Sequence, residues 1–323
     1  MFSDAVRQAV EDSDADVVFG GGDAEVYALC IERDKFPAIV PYPPLSAVLR
    51  AFDKLELCTL AVHHGLAAPW TEGAADDVDV DGTLWVKSRW HWDPRCGDRS
   101  TRVEACRETG RAAINARVRA FRCHGAEPVL QEPVDGDQLS VILLRAGDGR
   151  TLGTVFQQVD HCWPTPTGWT VRAHTISVDI DLERAVGQLL DELGWIGLVE
   201  LEFIRPDDGI PRLIDFNGRF YGSLALAVGA GVDFPALWAA DAMGQAPEPS
   251  PPARVPVRFQ RLGGDLRRAI KERRGGLWRD VANTISHAPT AVHSTLRAND
   301  LHPAYTYLRT FAQESRTGGR AHP

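Results

Sequence analysis

No two of the six cysteines, at positions 30, 58, 96, 106, 123 and 162, lie closer than ten residues apart. The C-x-x-C spacing of zinc and redox sites is therefore missing, and scattered reduced thiols are expected. Long apolar runs are missing as well: none reaches the roughly 18 residues that a membrane-spanning helix requires. The N-terminal stretch MFSDAVRQAVEDSDADVVF is acidic and has no basic segment followed by an apolar one, so it lacks the form of a secretory leader. These gaps lead to the expectation of a cytoplasmic protein with no membrane partner. Positive charge is in deficit too, 35 Lys and Arg against 44 Asp and Glu for a net −9, which argues against nucleic acid as the bulk partner.

What is present is a chain of 323 residues, 44% of them hydrophobic, with a mean hydropathy of −0.20. That composition is globular, and the length suffices for two or three lobes. Up to about residue 65, short β-like runs (ADVVF, PAIV) alternate with helical stretches (EVYALCIERD and a segment ending at HHG). The rhythm suggests βα units on a parallel sheet, but too few of them for a complete doubly wound domain, so a reduced N-terminal lobe is expected over residues 1–45. From Leu84 onward the pattern changes to paired strands with Gly-Asp-Gly and Asp-Asp-Gly turns. Two helices interrupt it, at residues 102–123 and 182–193, the second with Asp181 as cap and Gly194 as stop. The fold class that follows is α+β. Residues 246–256, APEPSPPARVP, read as a proline-rich linker. Beyond it, residues 257–323 read as a mostly helical segment with a disordered end.

One stretch concentrates chemistry. In LIDFNGRF, residues 213–220, Asp215, Asn217 and Arg219 alternate with other residues, so an extended chain puts carboxylate, amide and guanidinium on one face. LVELEFI precedes it across the turn RPDDGIP and forms a hairpin with Glu200 and Glu202 on one face of their own strand. Facing like charges destabilise a sheet unless neutralised, and a hard divalent cation does so with oxygen ligands of this kind. A solvated outer face of an antiparallel sheet accounts for the same alternation. Arg219 on the same face favours an anion beside the metal, because a guanidinium presents a planar fork to phosphate or acyl phosphate.

Asp53 stands three residues before Glu56, in the form of a capping box, which puts Lys54 in a first helical turn. A cation there opposes the helix dipole, so a bound anion explains it; a plain surface lysine is the alternative. Lys87 sits in the hydrophobic strand TLWVKSRW, sharing a face with Trp85 and Arg89. It either snorkels to the surface or supplies a second charge to a polyphosphate. VLQEPVDGDQLSV reads as strand, bend at Pro133, turn and strand, leaving backbone groups at a junction where a purine could be read.

The order DK, VK, QEPVDGDQLSV, LEF, DFNGR resembles the ATP-grasp superfamily over roughly residues 15 to 245, most specifically carbamoyl-phosphate-synthetase-like and carboxylate–amine ligase-like members. The resemblance implies an ATP-grasp domain over residues 46–245, two α+β lobes sandwiching ATP. It puts Lys54 and Lys87 on the phosphates and residues 131–134 at the adenine hinge, with Gln131, Glu132 and Val134 contributing. Asp137, where glutamate is usual, would meet the ribose. Glu202, Asp215 and Asn217 match the ligands of Mg²⁺, or Mn²⁺ in its place, with Asp215 also standing where glutamate is commoner; Glu200 falls just outside. Arg219 matches the arginine that stabilises the acyl phosphate. The implied activity is an ATP-dependent ligase joining a small-molecule carboxylate to an amine.

The departures are equally specific. The family's glycine-rich loop after VK is replaced by SRWHWDPRCGDRSTRV, where Arg95, Arg99 or Arg102 would have to cover the phosphates, and the family's NPR is NGR here. These departures and the short N-terminus keep a second reading open, a catalytically silent nucleotide-binding or interaction module. A third takes Arg267, Arg268, Arg273 and Arg274 as a basic helix for RNA, against a solvated charged face. His161, Cys162 and His174 are candidates for the acceptor site or for structural positions.

Overall fold

The computed structural model describes residues 2–92 and 103–295, with 300, 302, 305, 306 and 309. In chain order the N-terminal helices are α1 (Phe2–Ser13), α2 (Asp23–Ile31), α3 (Leu45–Phe52) and α4 (Lys54–His63), followed by β1 (Thr71–Gly73), β2 (Thr83–Ser88), β3 (Cys106–Thr109), α5 (Arg111–Cys123) and β4 (Pro128–Gln131). Next come β5 (Asp137–Arg145), β6 (Thr151–Trp163), β7 (Trp169–Ile176), α6 (Ile180–Leu193), β8 (Gly197–Arg205) and β9 (Arg212–Asn217). The chain closes with α7 (Leu224–Ala230), α8 (Phe234–Ala242), β10 (Arg258–Gln260), α9 (Leu262–Glu272), α10 (Leu277–His287) and β11 (Ala291–His293). The class is α+β, as expected. No single helix among the described residues is long and apolar enough to cross a membrane.

Two compact units divide the chain: Met1–Phe156 with Val178–Tyr221 and Asp233–Ser250, and Gln157–Ser177 with Gly222–Val232 and Pro251–Pro323. Residues 246–256 belong to no helix or strand but are tied down: the Ser250 amide bonds to the Leu152 carbonyl at 2.7 Å and the Arg254 amide to that of Ala230 at 2.9 Å.

The first unit holds two sheets. A four-stranded antiparallel sheet has the order β1-β4-β2-β3. On β2, Leu84 and Val86 point inward to meet Ile114, Val118 and Phe121 of α5 in one apolar cluster, which leaves Trp85 and Lys87 on the other face. The second sheet carries the first part of β6, then β5, β8 and β9, with β5 and β8 antiparallel over nine residue pairs. An aromatic group fixes the N-terminal segment: the Trp238 ring lies 4.7 Å from Phe19, 5.2 Å from Tyr42 and 5.4 Å from Phe220.

Several sequence expectations are corrected. The N-terminal strands reduce to one parallel bridge, Val17 to Ile39; three glycines follow at once, and glycine is a poor strand former. The helix expected over 102–123 begins at Arg111, because Gly110 takes a φ of 85° and the residues before it pair as β3 with β2. Helix α6 is capped by Asp179, whose carboxylate accepts from the amides of Asp181 and Leu182, while Gly194 ends it in the left-handed conformation. Arg95, Arg99 and Arg102 lie outside the described residues.

The second unit contains the rest of β6 with β7, β10 and β11 in the order β11-β10-β7-β6, together with α7, α9 and α10. Strands β10 and β11 had no counterpart in the expected helical C-terminal segment. Gly229 of α7 packs so closely that a Cβ would meet Val292 at 2.5 Å. The basic-helix reading fails here: Arg268 is fully buried, bonding to Asp265 at 2.9 Å and Asp280 at 2.8 Å. Arg273 turns left-handed at φ 54°, so Arg274 lies beyond the helix. His161 stands 3.6 Å from Asp265, and His174 bonds to Asp160 at 3.1 Å.

Candidate active site

All of the chemistry-bearing strands belong to the first unit. In the β8–β9 hairpin Glu202 faces Asp215 and Glu200 faces Asn217, with an irregularity between Glu202 and Phe203. Because Phe203 then faces Leu213, Ile214 is the extra residue of a bulge. Bulges re-aim side chains beside active sites. Here the bulge lets Leu213 and Phe216 both enter the core while Asp215 and Asn217 share the other face with the two glutamates.

That face is crowded with charge. The Asn217 Nδ2 donates to Glu202 at 2.9 Å and to Glu200 at 3.2 Å, and its Oδ1 accepts from Arg219 Nη2 at 2.9 Å. Gln138 donates to the second oxygen of Glu202 at 3.3 Å. Burial, reinforced by the Glu202 charge, pushes the Glu200 carboxyl up to about 8, and burial with the Asp215 charge raises Glu202 as well. The amide nitrogen thus occupies the point on which two carboxylates converge, where electrostatics favours positive charge.

This donor set suits a hard divalent cation. Carboxylate and amide oxygens are magnesium ligands by chemistry, and in this structure the Asn217 oxygen is turned to Arg219 while its NH₂ meets the two glutamates. Among the described residues no group of three or more His, Cys, Asp or Glu side chains is arranged to hold a metal.

Asp215 is engaged by a cation from elsewhere. Lys54 Nζ donates to it at 2.5 Å and also lies 3.2 Å from His91 Nε2; His91 Nε2 is itself 3.3 Å from the other Asp215 oxygen. Burial would raise the Asp215 carboxyl, but Lys54 and His91 outweigh it and hold the group well below the carboxylate range. On the other side of the ring His91 Nδ1 meets Asp23 at 2.5 Å, so the imidazole lies between two carboxylates. For His91 the Lys54 charge acts downward, and the carboxylates of Asp215 and Asp23 leave a net upward shift.

Local structure explains why Lys54 is so placed. Asp53 caps α4 through the amides of Leu55 and Glu56, as the sequence suggested, but Glu56 bonds to Arg50 at 2.5 Å instead of closing the box. Asp53 also takes Arg89 in a fork, at 2.8 and 2.5 Å, and the Lys54 amide bonds to the Arg89 carbonyl at 3.1 Å. Helix α4 and the end of β2 are thereby fastened together.

Lys87 donates to Gln131 Oε1 at 2.6 Å, and Gln131 donates to Thr71 Oγ1 at 3.0 Å. Burial, with the Lys54 charge, pushes the Lys87 ammonium down to about 8, while Asp215 and Glu202 act in the opposite sense. Lys54, Lys87, Asp215 and Glu202 therefore share one electrostatic neighbourhood. At the expected hinge the Glu132 amide is committed to the Trp70 carbonyl at 3.0 Å, and its carboxylate accepts from the Trp70 amide at 3.0 Å. Val134 is half-buried and Asp137, opening β5, is exposed.

Sequence reasoning missed three residues. Asp23 and His91 join the cluster from segments that no periodicity linked to it. Tyr221 extends the 215, 217, 219 alternation by one step; its hydroxyl is buried with no hydrogen-bond partner among the described residues, in the field of Glu200. That step was readable in NGRFY.

No protein-family profile matches the chain, and no curated protein matches it in sequence. Solved structures do match. L-amino acid ligase from Bacillus licheniformis superposes with a TM-score of 0.54 at 18% identity, over 74% of this chain and 59% of that one. N5-carboxyaminoimidazole synthetase from Staphylococcus aureus, complexed with ADP, gives 0.59 at 14% identity over 80% and 69%. Biotin carboxylase from Campylobacter jejuni gives 0.58 at 13% identity over 75% and 58%. The chain spans under two thirds of the length of the first and the third.

Proposed function

We propose that this chain, whose fold is the ATP-grasp fold of those structures, is an ATP-dependent ligase that activates a small-molecule carboxylate for attack by an amine. The observation that carries the reading is the meeting of Lys54 from α4, His91 after β2 and Asp215 from β9 within hydrogen-bond distance. Three separated segments place cation, imidazole and carboxylate together beside the Glu202, Asn217 and Arg219 face.

In the proposed reaction a carboxylate oxygen attacks the γ-phosphorus of ATP in line and ADP leaves. The amine then adds to the acyl phosphate carbonyl, and phosphate departs. Such chemistry needs positioning and charge stabilisation more than covalent help. Lys54 and Lys87 would hold phosphate oxygens, residues 131–134 the adenine and Asp137 the ribose. Arg219 would stabilise the acyl phosphate and the tetrahedral oxyanion that follows. Glu202, Asp215 and Asn217 would hold a magnesium or manganese ion, which when bound neutralises phosphate charge.

The test is release of ADP and phosphate dependent on both Mg²⁺ and an added carboxylate, screened over carboxylate and amine pools with product mass read directly. Asp215→Asn should lower turnover by about 100-fold or more, with folding checked by thermal melting. Unchanged turnover in a folded Asp215→Asn protein would defeat the ligase reading. One observation favours the second reading, a nucleotide-binding module without turnover: Lys54 and Lys87 are both already bonded within the protein. That reading expects MgATP binding and no ADP release with any carboxylate.

A further inference from the structure

Each nitrogen of the Arg219 guanidinium is already engaged in one hydrogen bond. Its Nε donates to Asp23 at 2.6 Å, its Nη1 to the Phe220 carbonyl at 3.1 Å and its Nη2 to Asn217 at 2.9 Å. Asp23 is committed in turn, because its second oxygen accepts from His91 Nδ1 at 2.5 Å. The Asp23 side chain is only 8% exposed. Burial raises its carboxyl, but His91 and Arg219 outweigh burial and bring it to about 2, so it is an anion at neutral pH.

An incoming carboxylate or acyl phosphate that needs Arg219 therefore meets a like charge at hydrogen-bond distance. Asp23 holds the guanidinium at Nε alone, and a second anion is repelled unless the first leaves or is neutralised. Protonation does not remove Asp23 in the physiological range. Displacement does, and the chain supplies a hinge for it. Asp23 is the first residue of α2 and follows Gly20, Gly21 and Gly22. Gly20 is pinned, its amide donating to the Tyr42 hydroxyl at 2.9 Å, whereas Gly21 has open space where a Cβ would stand. Glycine's backbone freedom puts the pivot there.

We propose that Asp23 is an internal stand-in for the substrate's anionic group: it occupies Arg219 in the resting chain, and the substrate takes its place as Asp23, the first residue of α2, turns aside at glycines 21 and 22. The inference rests on the ligase reading, which assigns the acyl anion to Arg219. It implies that Arg219 stays neutralised, and ATP protected from idle hydrolysis, until a carboxylate arrives to compete.

The probe is acetyl phosphate, a minimal acyl phosphate, titrated into the MgADP complex by calorimetry. Asp23→Asn keeps the shape and deletes the charge; it should bind acetyl phosphate on the order of tenfold more tightly than the unaltered chain, and Arg219→Gln should abolish binding in both backgrounds. A wild-type readout stands beside it. Asp23 holds His91, the chain neighbour of Trp92, whose ring lies tilted against Tyr27 with centroids 4.4 Å apart, so acetyl phosphate should change the tryptophan fluorescence, and Trp92→Phe should remove that change. Equal or weaker binding by a folded Asp23→Asn protein overturns the inference; should that variant not fold, a wild-type signal that ignores acetyl phosphate does so. Binding that depends on Arg219 and not on Asp23 sinks this inference alone. Failure to bind MgADP, or binding indifferent to Arg219, sinks the ligase reading and this inference with it.

Discussion

Lys87 shows how one residue can be both a structural burden and a functional group. Its ammonium titrates near 8, below the ordinary lysine value of 10.5, chiefly because of burial. The folded chain thus sheds this proton more readily than the unfolded one, and between about pH 8 and 10.5 the unfolded state binds more protons. Stability gains from Lys87 therefore appear as pH rises through that window, and the charged form costs stability below it. If the ammonium grips a phosphate, MgATP affinity must fall over the same rise. Lys87→Met should weaken MgATP by about tenfold at pH 7 and flatten both pH dependences. Calorimetry at pH 7 and 9 checks this, and an affinity indifferent to pH in the unaltered chain would count against the phosphate role. Asp53 carries a comparable double duty: asparagine there could still cap α4 but could not neutralise Arg89, and glutamate could do the reverse.

At the scale of elements, the corrected cap of α6 is directly testable. Asp179→Ala should cost about 1 kcal/mol, whereas Asp181→Ala, which loses only a first-turn charge and an exposed bond to Arg184, should cost about 0.3–0.5 kcal/mol; paired thermal melts would separate them. The NGR spacer makes a second test, because a Cβ on Gly218 would stand 2.2 Å from Cη2 of Trp195. Placing a proline there, Gly218→Pro, should therefore destabilise by about 1–3 kcal/mol, read by denaturant unfolding; an unchanged midpoint would mean that the Trp195 ring yields freely. These elements also show what the sequence could reveal. The pairing of LVELEFI with LIDFNGRF was legible because side chains alternate along a strand, and Lys54 was legible from its cap. The bulge at Ile214 was not, since the letters LIDFN carry no mark of an extra residue. The start of α5 was misplaced because helix-compatible residues before Gly110 are recruited as β3 by a partner strand. His91 and Asp23 were invisible because their roles come from tertiary contacts that no local pattern encodes.

For the molecule as a whole, the second unit rests on a buried ionic cluster rather than on apolar packing alone. Arg268 bonds to Asp265 and Asp280, and Arg172 meets Asp265 at 2.5 Å. Removing one partner of such a set leaves a buried charge uncompensated, so Arg268→Ala should cost about 3–5 kcal/mol, measured by chemical denaturation; a loss below about 1 kcal/mol would show that water replaces the guanidinium. The first unit poses a different problem, one of order in time. Lys54 and Asp215 are separated by 161 positions, and Asp23 and Arg219 by 196. Contacts of such long range form only after a large loop-closure entropy has been overcome. During synthesis from the N-terminus, α4 and β2 leave the ribosome well before β9, so Lys54 is without its Asp215 partner while 161 further residues are made. The carboxylate that makes its burial tolerable comes only with β9. Assembly of the charged cluster is thus a late event in the life of each new chain, and the half-made protein is the state most exposed to misfolding.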